Sequence, residues 1–302
     1  MEILINRAVL PGWWNGRHWG LKIPWLQNRV SSNLIPGKRK GMKYSVCIDA
    51  VFKGVDSLEA LDRVKAAGFE AFEFWNWAGR DLAALRAKAD SLGLQCVTFV
   101  GKKANLTDPK ERDAWISGMK EAAGVAKMMG TGCLIATAGE DTGAVRNFQR
   151  RSIVNTLKAA LPVLTENNIT LLLEPLNGRV DHTGTYLESS DEAFAILDEV
   201  GSRHVKLLFD IYHQQITEGD IIRRMKSRIS DIGHIHSAGS PGRHELDTGE
   251  LNYRKIFDIL DEAGYEGYAG LEYFPQGDLS PGDASAGDSL TGLKRMYDYL
   301  HR

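Results

Sequence analysis

Cysteine, long apolar runs and any excess of one charge are all scarce in this 302-residue sequence. Its three cysteines, Cys47, Cys96 and Cys133, lie among apolar residues, and an odd number does not suit a disulfide framework, so we expect reduced, buried thiols in a cytoplasmic protein. No apolar run approaches the ~20 residues that a membrane-spanning helix needs. A net charge of −2 gives no reason to expect nucleic acid or an anionic membrane as a partner. What remains is a globular chain, 43% hydrophobic, whose length suits one large domain or two small ones.

Residues 1–41 differ from the rest in charge and pattern. They hold seven Lys and Arg against Glu2 alone, which leaves 30 Lys and Arg against 38 Asp and Glu in the remaining 261 residues. They also hold four of the seven tryptophans but show no periodicity, and neither a secretory signal nor a transit peptide fits them. We expect this leader to lie outside the fold, as a non-native or disordered segment, and Met42 to start a domain over residues 42–302. The alternative is an ordered arm that packs on a neighbouring subunit.

From Lys43 onward, short β-branched or aromatic runs alternate with amphipathic stretches such as Ser57–Ala67 and Glu111–Met129, which predict helices. The eight predicted strands are Tyr44–Ala50, Ala71–Trp77, Gln95–Gly101, Gly132–Ala138, Thr170–Asn177, Val205–His213, Ile232–Ala238 and Tyr268–Pro275. No Gly-rich nucleotide loop follows the first of them, as it usually does in a doubly wound open sheet, and eight parallel strands close a barrel. The sequence therefore predicts an α/β fold, a single-domain (β/α)₈ TIM barrel, with the open sheet as the alternative.

Each of the last four predicted strands ends near a residue that can bind a metal ion. These are Glu174, Asp210, His236 and Glu272, and their separations of 36, 26 and 36 residues are each close to one βα unit. Singly, each acid could cap a helix or pair with Lys or Arg. Together, at the C-terminal mouth where barrel active sites lie, they predict one divalent metal site. Three carboxylates and one imidazole favour Mn²⁺ or Mg²⁺, with Co²⁺ or Zn²⁺ as alternatives. His234 lies one layer deeper, and we expect it to be a core residue or a partner of the site.

Seven segments between Met42 and the C-terminus form a recognisable set. They are Glu73–Trp77, Glu174–His182, Asp210–His213, Gly233–His236, Pro241–Glu245, Thr248–Tyr253 and Gly270–Tyr273. In these segments the chain resembles members of the xylose-isomerase-like TIM-barrel superfamily, and within it the hydroxypyruvate isomerase family. The resemblance implies that hydroxypyruvate is converted to tartronate semialdehyde, an aldose–ketose type isomerisation of a small keto acid through an enediolate.

The resemblance also implies roles for single residues. Glu174 and Glu272 match the two catalytic glutamates of the family, and the metal ligands of related ketose epimerases match the four metal-site residues named above. His213 and Arg243 match substrate-binding groups. In this chemistry a glutamate removes a proton next to the carbonyl, and the same or the other glutamate returns one to the neighbouring carbon.

Each substrate assignment has a structural alternative. Arg243 offers a bidentate fork for a substrate carboxylate, but it could instead pair with Glu245. His213 could be a loop residue that forms only structural hydrogen bonds. Arg179 and His182, in the loop after strand five, are further candidates for substrate contact, and a purely structural role is equally open for them.

Three more residues near strand ends are weaker candidates. Trp75 and Trp77 could wall the pocket, although aromatic residues at such positions more often pack in the core. Lys102 follows strand three, where an exposed lysine is the default.

Two features depart from the family pattern. Residues 243–249 read RHELDTG where many relatives have RHEPGTG, so the turn there is expected to differ. Val180 stands six residues past the first metal glutamate, where ketose epimerases have a glutamate that contacts substrate. This weakens the epimerase interpretation and leaves the length of the substrate open.

Three other functions compete. A sugar-acid isomerase or ketose 3-epimerase would use the same site on a four- to six-carbon substrate. An abasic-site DNA endonuclease would need extra zinc-binding histidines on strands three and four, and the only histidine before His182 is His18. A non-catalytic barrel would not need Glu174 and Glu272 together at the mouth. We expect a small-molecule substrate and no nucleic acid or membrane partner, and a homo-oligomer is left open.

Overall fold

The structure, a computed structural model, describes residues 41–276 and 289–301, so the predicted leader lies outside the described residues except for Gly41. Eight strands alternate with helices along the chain. The strands are β1 (Lys43–Cys47), β2 (Ala71–Phe74), β3 (Gln95–Phe99), β4 (Cys133–Thr137), β5 (Thr170–Glu174), β6 (Val205–Asp210), β7 (Ile232–Ser237) and β8 (Tyr268–Leu271). The helices are α1 (Ile48–Val51), α2 (Ser57–Ala66), α3 (Leu82–Leu92), α4 (Arg112–Met129), α5 (Arg146–Glu166), α6 (Ser190–Val200), α7 (Ile211–Thr217), α8 (Ile221–Ser227), α9 (Tyr253–Glu262) and α10 (Ser289–His301), with 3₁₀ turns at Pro109–Glu111 and Ile229–Asp231.

All eight strands are parallel and form one sheet, in the order β3-β2-β1-β8-β7-β6-β5-β4. The two outer strands of this order meet as well, because Val100, just past β3, forms a parallel bridge with Ile135 of β4. The amide of Gly101 donates to the Ile135 carbonyl at 2.9 Å. The sheet is therefore closed, which confirms the predicted TIM barrel and rules out the doubly wound sheet.

The predicted strands start within one residue of the observed ones but run too far at their C-terminal ends. The run Val205–His213 is the clearest error, because the strand stops at Asp210 and α7 begins at once. The Oδ1 atom of Asp210 accepts hydrogen bonds from the amides of Tyr212 and His213 at 2.8 and 3.1 Å, so the carboxylate caps the helix. Apolar residues continue past Asp210, and the pattern alone could not separate a short capped helix from the strand.

The barrel interior is apolar on one side and polar on the other. Ile135, Leu172 and Leu208, from β4, β5 and β6, form a small buried cluster of their own. On the other side, Ser45 of β1 and Glu73 of β2 are buried and polar, as are the two histidines of β7. The larger core lies between the strands and the surrounding helices. The site described below lies above both sides, because the strands that end at it include β5 and β6 as well as β7.

The helix ends follow the expected local chemistry. Asp56 caps α2 and Ser189 caps α6 through side-chain oxygens that accept backbone N–H groups of the first turn. Gly130 ends α4 in the left-handed conformation, at φ 71°, which favours glycine.

The three cysteines are free, but only Cys47 and Cys96 are buried. The prediction that all three are buried is wrong for Cys133, because it opens β4 at the exposed end of the strand. No helix in the described residues is both long and apolar enough to cross a membrane.

Candidate active site

A cavity of about 380 Å³ opens at the C-terminal mouth of the barrel. Its lining combines acids, histidines, two cations and apolar side chains from seven strands, β2 to β8, and the segments that follow them. The lining residues are Trp75, Val100, Lys103, Ile135, Thr137, Glu174, Leu176, Asp181, His182, His213, His236, Arg243, Glu272 and Phe274.

Four of the residues singled out in the sequence meet at the floor of this cavity. Glu174 ends β5, Asp210 ends β6, His236 is the fifth residue of β7 and Glu272 directly follows β8. All four are buried, and one potential ligand atom from each lies within 4.8 Å of all the others. Nδ1 of His236 is 3.4 Å from Glu174 Oε1 and 3.4 Å from Glu272 Oε2. The pairing of β6 with β7 sets Asp210 opposite His236, which fixes their common depth.

The spacing of these atoms suits a shared cation. Two ligands about 2.1 Å from one ion, at angles of about 90–110°, are about 3.0–3.4 Å apart. Nδ1 of His236 is buried and has no hydrogen-bond partner among the described residues, although it faces two carboxylates. Three carboxylates around one unpartnered ring nitrogen fit a divalent ion.

The charges at the floor influence one another strongly. Burial favours the neutral imidazole, but the Glu272 and Glu73 carboxylates outweigh it and hold the pKa of His236 well above its usual value. Burial would raise the pKa of Glu272, but His236 and Arg243 outweigh it and hold that pKa well below its usual value. For Asp210, burial is the largest influence and raises the pKa of its carboxyl. The metal-free site is thus a compact set of opposed charges.

Sequence analysis did not identify Glu73 as a site residue. It lies within β2, 1% exposed, and its Oε2 accepts hydrogen bonds from Ser45 Oγ at 2.9 Å and His234 Nε2 at 2.8 Å. Its Oε1 lies 3.0 Å from Nε2 of His236. Burial opposes ionisation, but the two histidines lower the pKa of Glu73 to about 2. The sequence feature that could have identified Glu73 is an acid inside a predicted barrel strand, flanked on both sides by phenylalanine.

Arg243 is almost fully buried, at 8% exposed, and its guanidinium contacts Glu272 Oε2. The alternative pairing with Glu245 is wrong: Glu245 accepts a hydrogen bond from the amide of Gln276 instead. The guanidinium carbon of Arg243 lies 5.5 Å from the ring centre of Tyr212. This cation–π contact helps to hold the guanidinium in the lining of the cavity. Burial lowers the pKa of Arg243, but Glu272 and Asp210 outweigh it and raise the pKa above its usual value.

His213 and His182 also meet in the cavity, with ring centres 5.2 Å apart. His213 is fully buried within α7, and the Asn177 side-chain amide lies 2.6 Å from its Nδ1. That amide also donates to Asp181 Oδ2 at 2.8 Å. Asn177 therefore faces His213 with a donor, which leaves the proton of the neutral ring on Nε2, 3.5 Å from Asp210 Oδ2. Burial and the positive charge of Arg243 lower the pKa of His213 to about 4, so the ring is neutral at neutral pH.

Two sequence candidates do not reach the cavity. The exposed Arg179 donates from Nη1 to the Ile216 carbonyl at 3.0 Å and does not line the cavity. The side chain of Lys102 packs beside Gly118 of α4, and the next residue, Lys103, lines the cavity instead. Side chains alternate between the two faces of a strand, but this alternation stops where the strand ends. The sequence alone therefore does not show which loop residue, Lys102 or Lys103, faces the cavity.

The two tryptophans of the β2 loop have different places. Trp75 lines the cavity, and its indole Nε1 donates to Glu272 Oε1 at 2.5 Å. The indole of Trp77 donates to the Gly101 carbonyl at 2.8 Å and does not line the cavity. Asp181, which sequence analysis passed over, lies at the exposed rim of the cavity, one residue after Val180.

Several known proteins are similar to this chain in sequence or in fold. The family model described as "Xylose isomerase-like TIM barrel" matches residues 61–296. A 2-oxo-tetronate isomerase of Cupriavidus necator is 36% identical over 234 residues, which cover 74% of this chain and 90% of that protein. A putative hydroxypyruvate isomerase of Homo sapiens is 31% identical over 259 residues, which cover 80% of this chain and 92% of that protein.

A solved structure from Brucella melitensis, titled AP endonuclease, family 2, superposes with a TM-score of 0.78. It is 26% identical, and the match covers 85% of this chain and 99% of that one. The family match spans most of the chain, and the relatives of highest identity among these three are named isomerases. The chain therefore belongs to the xylose isomerase-like TIM barrel family, and it is an enzyme of the isomerase class, similar to the hydroxypyruvate isomerases.

Proposed function

We propose that the protein is a metal-dependent isomerase that moves the carbonyl of a small 2-keto acid to the neighbouring hydroxyl-bearing carbon, with hydroxypyruvate as the first candidate substrate. The observation that carries this proposal is the meeting of Glu174 and Glu272 with Asp210 and His236 within 4.8 Å. Two glutamates at one cation site combine the groups that an enediolate mechanism needs: an ion to stabilise negative charge and a carboxylate to move a proton.

Glu174, Asp210, His236 and Glu272 would hold the ion, through three oxygens and Nδ1 of the imidazole. This donor set favours Mn²⁺ or Mg²⁺, with Co²⁺ or Zn²⁺ as alternatives. When bound, a divalent ion polarises the substrate carbonyl and stabilises the negative charge that develops on oxygen.

Glu174 and Glu272 are the proton carriers in this proposal, and their surroundings differ. Glu272 accepts the indole N–H of Trp75 and contacts Arg243, and both contacts favour its charged form. Glu174 has no tryptophan or arginine partner in the described part of the chain. We therefore assign the first proton removal to Glu174, because its carboxylate is not already held by a tryptophan or arginine donor when it accepts the proton. Glu272 then faces the substrate from β8, three strands away around the barrel.

The substrate carboxylate needs positive charge, and the cavity supplies it on two sides. Arg243 keeps N–H groups beyond its contact with Glu272, and its buried Nε has no partner among the described residues. Lys103 follows β3, four strands from the β7 loop that carries Arg243, so the two cations face each other across the mouth. A small keto acid would lie between them, with its carbonyl over the metal-binding residues.

Neutral residues orient the substrate and limit the access of water. Nε2 of His213, which carries the proton of the neutral ring, is a buried donor without a hydrogen-bond partner among the described residues. It would donate to a substrate oxygen, with His182 beside it. Trp75 and Phe274 pack edge to face, with ring centres 6.2 Å apart, and wall the other side of the cavity. Arg179 and Lys102 have no part in this proposal, because neither lines the cavity.

A four-carbon acid is the second candidate substrate, and one feature of the cavity and one relative support it. Asp181 offers an acceptor at the rim, where a longer substrate would place another hydroxyl group. The relative from Cupriavidus necator is named for a 2-oxo-tetronate. A ketose 3-epimerase remains the third candidate, whereas DNA cleavage lacks the histidines on β3 and β4 that its zinc cluster would need.

A panel of 2-keto acids and ketoses of three to six carbons, incubated with the Mn²⁺-loaded enzyme and followed by NMR, tests this proposal. We expect turnover of hydroxypyruvate or 2-oxo-tetronate, and its loss in Glu174→Gln. Glu218→Gln is the matched control, because that glutamate accepts the hydroxyl of Ser190 at 2.6 Å, away from the cavity. An inert wild-type enzyme across the panel, or cleavage of abasic DNA, would reject the proposal.

A further inference from the structure

Below the four metal-binding residues, a chain of polar contacts crosses the barrel from β2 to β7. Glu73 of β2 holds both histidines of β7: its Oε2 accepts from Nε2 of His234 at 2.8 Å, and its Oε1 lies 3.0 Å from Nε2 of His236. Ser45 of β1 completes the set with a hydrogen bond to Oε2 at 2.9 Å. All four side chains are almost fully buried, and neither Glu73 nor His234 lines the cavity.

The two strands between β2 and β7 leave room for this contact. Ser45 of β1 and Gly270 of β8 are register partners, and Gly270 is also paired with His236. A Cβ at Gly270 would overlap Oε1 of Glu73 and lie 2.8 Å from Cδ2 of His236. A side chain at position 270 would therefore separate the carboxylate from the imidazole. The glycine is required here by close approach and not by its own backbone conformation.

The contacts decide which ring nitrogen faces the cavity. A carboxylate can only accept hydrogen bonds, so His234 donates an N–H from Nε2, and a proton on Nε2 of His236 would likewise face Glu73. A neutral His236 with its proton on Nε2 has its lone pair on Nδ1, 3.4 Å from Glu174 and from Glu272. Nε2 of His236 lies close to Glu73, but the two groups are not aligned for an ideal hydrogen bond. In many active sites such hydrogen bonds become shorter and better aligned when the ligand binds.

We propose that Glu73 is a positioning residue that holds the proton of His236 on Nε2 and so presents Nδ1 to the divalent ion. This inference rests on the proposed metal site. A second ion bound by Glu73, His234 and His236, whose potential ligand atoms also lie close together, fits the contacts less well. Such an ion would replace the hydrogen bond between Glu73 and His234 and would lie in a layer that the cavity does not reach.

NMR of the histidine ring nitrogens in the Zn²⁺-loaded wild-type protein tests the assignment without any variant. We expect His236 to carry a slowly exchanging proton on Nε2 and to bind the ion through Nδ1. A proton on Nδ1 with the ion on Nε2 would overturn the inference.

A titration of the metal-free protein with Mn²⁺, followed by calorimetry, gives the second readout. Glu73→Gln should weaken Mn²⁺ binding by about 10- to 100-fold, the usual cost of losing the acid behind a metal-bound histidine. Glu218→Gln, a buried acid outside the site, should bind Mn²⁺ like the wild type. Equal affinities of wild type and Glu73→Gln would overturn the role of Glu73 and leave the proposed function standing. No Mn²⁺ binding by the wild type would instead overturn the metal site itself.

Discussion

Arg243 and Glu272 form a buried ion pair at the mouth of the barrel, between the loop after β7 and the end of the adjacent strand β8. The pair places a guanidinium beside one of the two glutamates proposed to move the proton. Together with His236, it keeps Glu272 charged in an environment where burial would otherwise favour the protonated acid. The cation that we assign to the substrate carboxylate thus also sets the charge of a catalytic group.

Arg243→Met should lower both stability and activity. Removing one partner of a buried pair leaves an uncompensated charge, so the free energy of unfolding of the metal-free protein should fall by about 3–5 kcal/mol. Bound Mn²⁺ should recover part of this loss, because the ion supplies positive charge beside Glu272. We also expect kcat/KM for hydroxypyruvate to fall by about 10²-fold or more. Urea unfolding with and without Mn²⁺, together with steady-state kinetics, measures these changes.

The control for this variant is Arg228→Met. Arg228 binds Asp198 and Asp231 outside the cavity, with Nη2 and Nε at 2.6 and 2.5 Å from the acids. Its loss should leave kcat/KM unchanged. An Arg243→Met enzyme that keeps wild-type kcat/KM would remove Arg243 from substrate binding.

Lys103→Met and Lys102→Met form a matched pair of neighbouring substitutions. Only Lys103 lines the cavity, so its loss should raise KM for 2-keto acids by about fivefold, the equivalent of about 1 kcal/mol for a solvent-exposed ion pair. Lys102→Met should leave KM and kcat unchanged, since methionine keeps the apolar contact with Gly118. Similar KM values for both variants would contradict the assignment of Lys103 as the second cation.

Metal binding should release protons. Burial favours neutral His236, but Glu272 and Glu73 outweigh it and hold the pKa of His236 well above its usual value in the metal-free protein. The ring is then protonated at neutral pH, and Nδ1 must lose about one proton before it can bind an ion. The apparent affinity for Mn²⁺ should therefore rise with pH until the pH exceeds this raised pKa.

Calorimetric titrations with Mn²⁺ at one pH, in two buffers of different ionisation enthalpy, measure this proton release. The observed heat should differ between the buffers in proportion to the protons released. Identical heats would show that His236 is already neutral before the ion binds.

Much of the fold and half of the site could be predicted from the sequence. The β-branched or aromatic runs, the amphipathic stretches and the count of eight units were enough for the barrel, because each depends on neighbouring residues. Glu174, Asp210, His236 and Glu272 could be identified because parallel strands of a closed barrel all end at one mouth.

The contacts that Glu73 and Arg243 make with the site join residues far apart in the sequence, so they could not be predicted from neighbouring residues. Glu73 reaches His236 only because Ser45 and Gly270 leave space on two intervening strands. Arg243 reaches its partner through a loop in which Arg243 itself has φ 58°, a left-handed conformation that its residue type does not suggest. Neither feature has a signature in local periodicity.

Glutamine substitutions test the two proton carriers separately. Glu174→Gln and Glu272→Gln should each lower kcat by at least ~10²-fold, since an amide cannot accept the proton. Glu218→Gln, which keeps the cavity intact, should retain the wild-type rate. Near-normal turnover in both site variants would reject proton transfer by these glutamates.

The most direct test of the proposed mechanism is the isomerisation of hydroxypyruvate in D₂O by the Mn²⁺-loaded enzyme, quenched early, freed of Mn²⁺ by chelation and analysed by NMR. A carboxylate that removes a proton and returns one from a site in exchange with solvent should place deuterium on C2 of tartronate semialdehyde. We expect this label with the wild type and no product with Glu174→Gln. Product that carries only protium at C2 would contradict this account, since hydrogen would then reach C2 without exchange, either on one shielded base or by direct transfer between the two carbons.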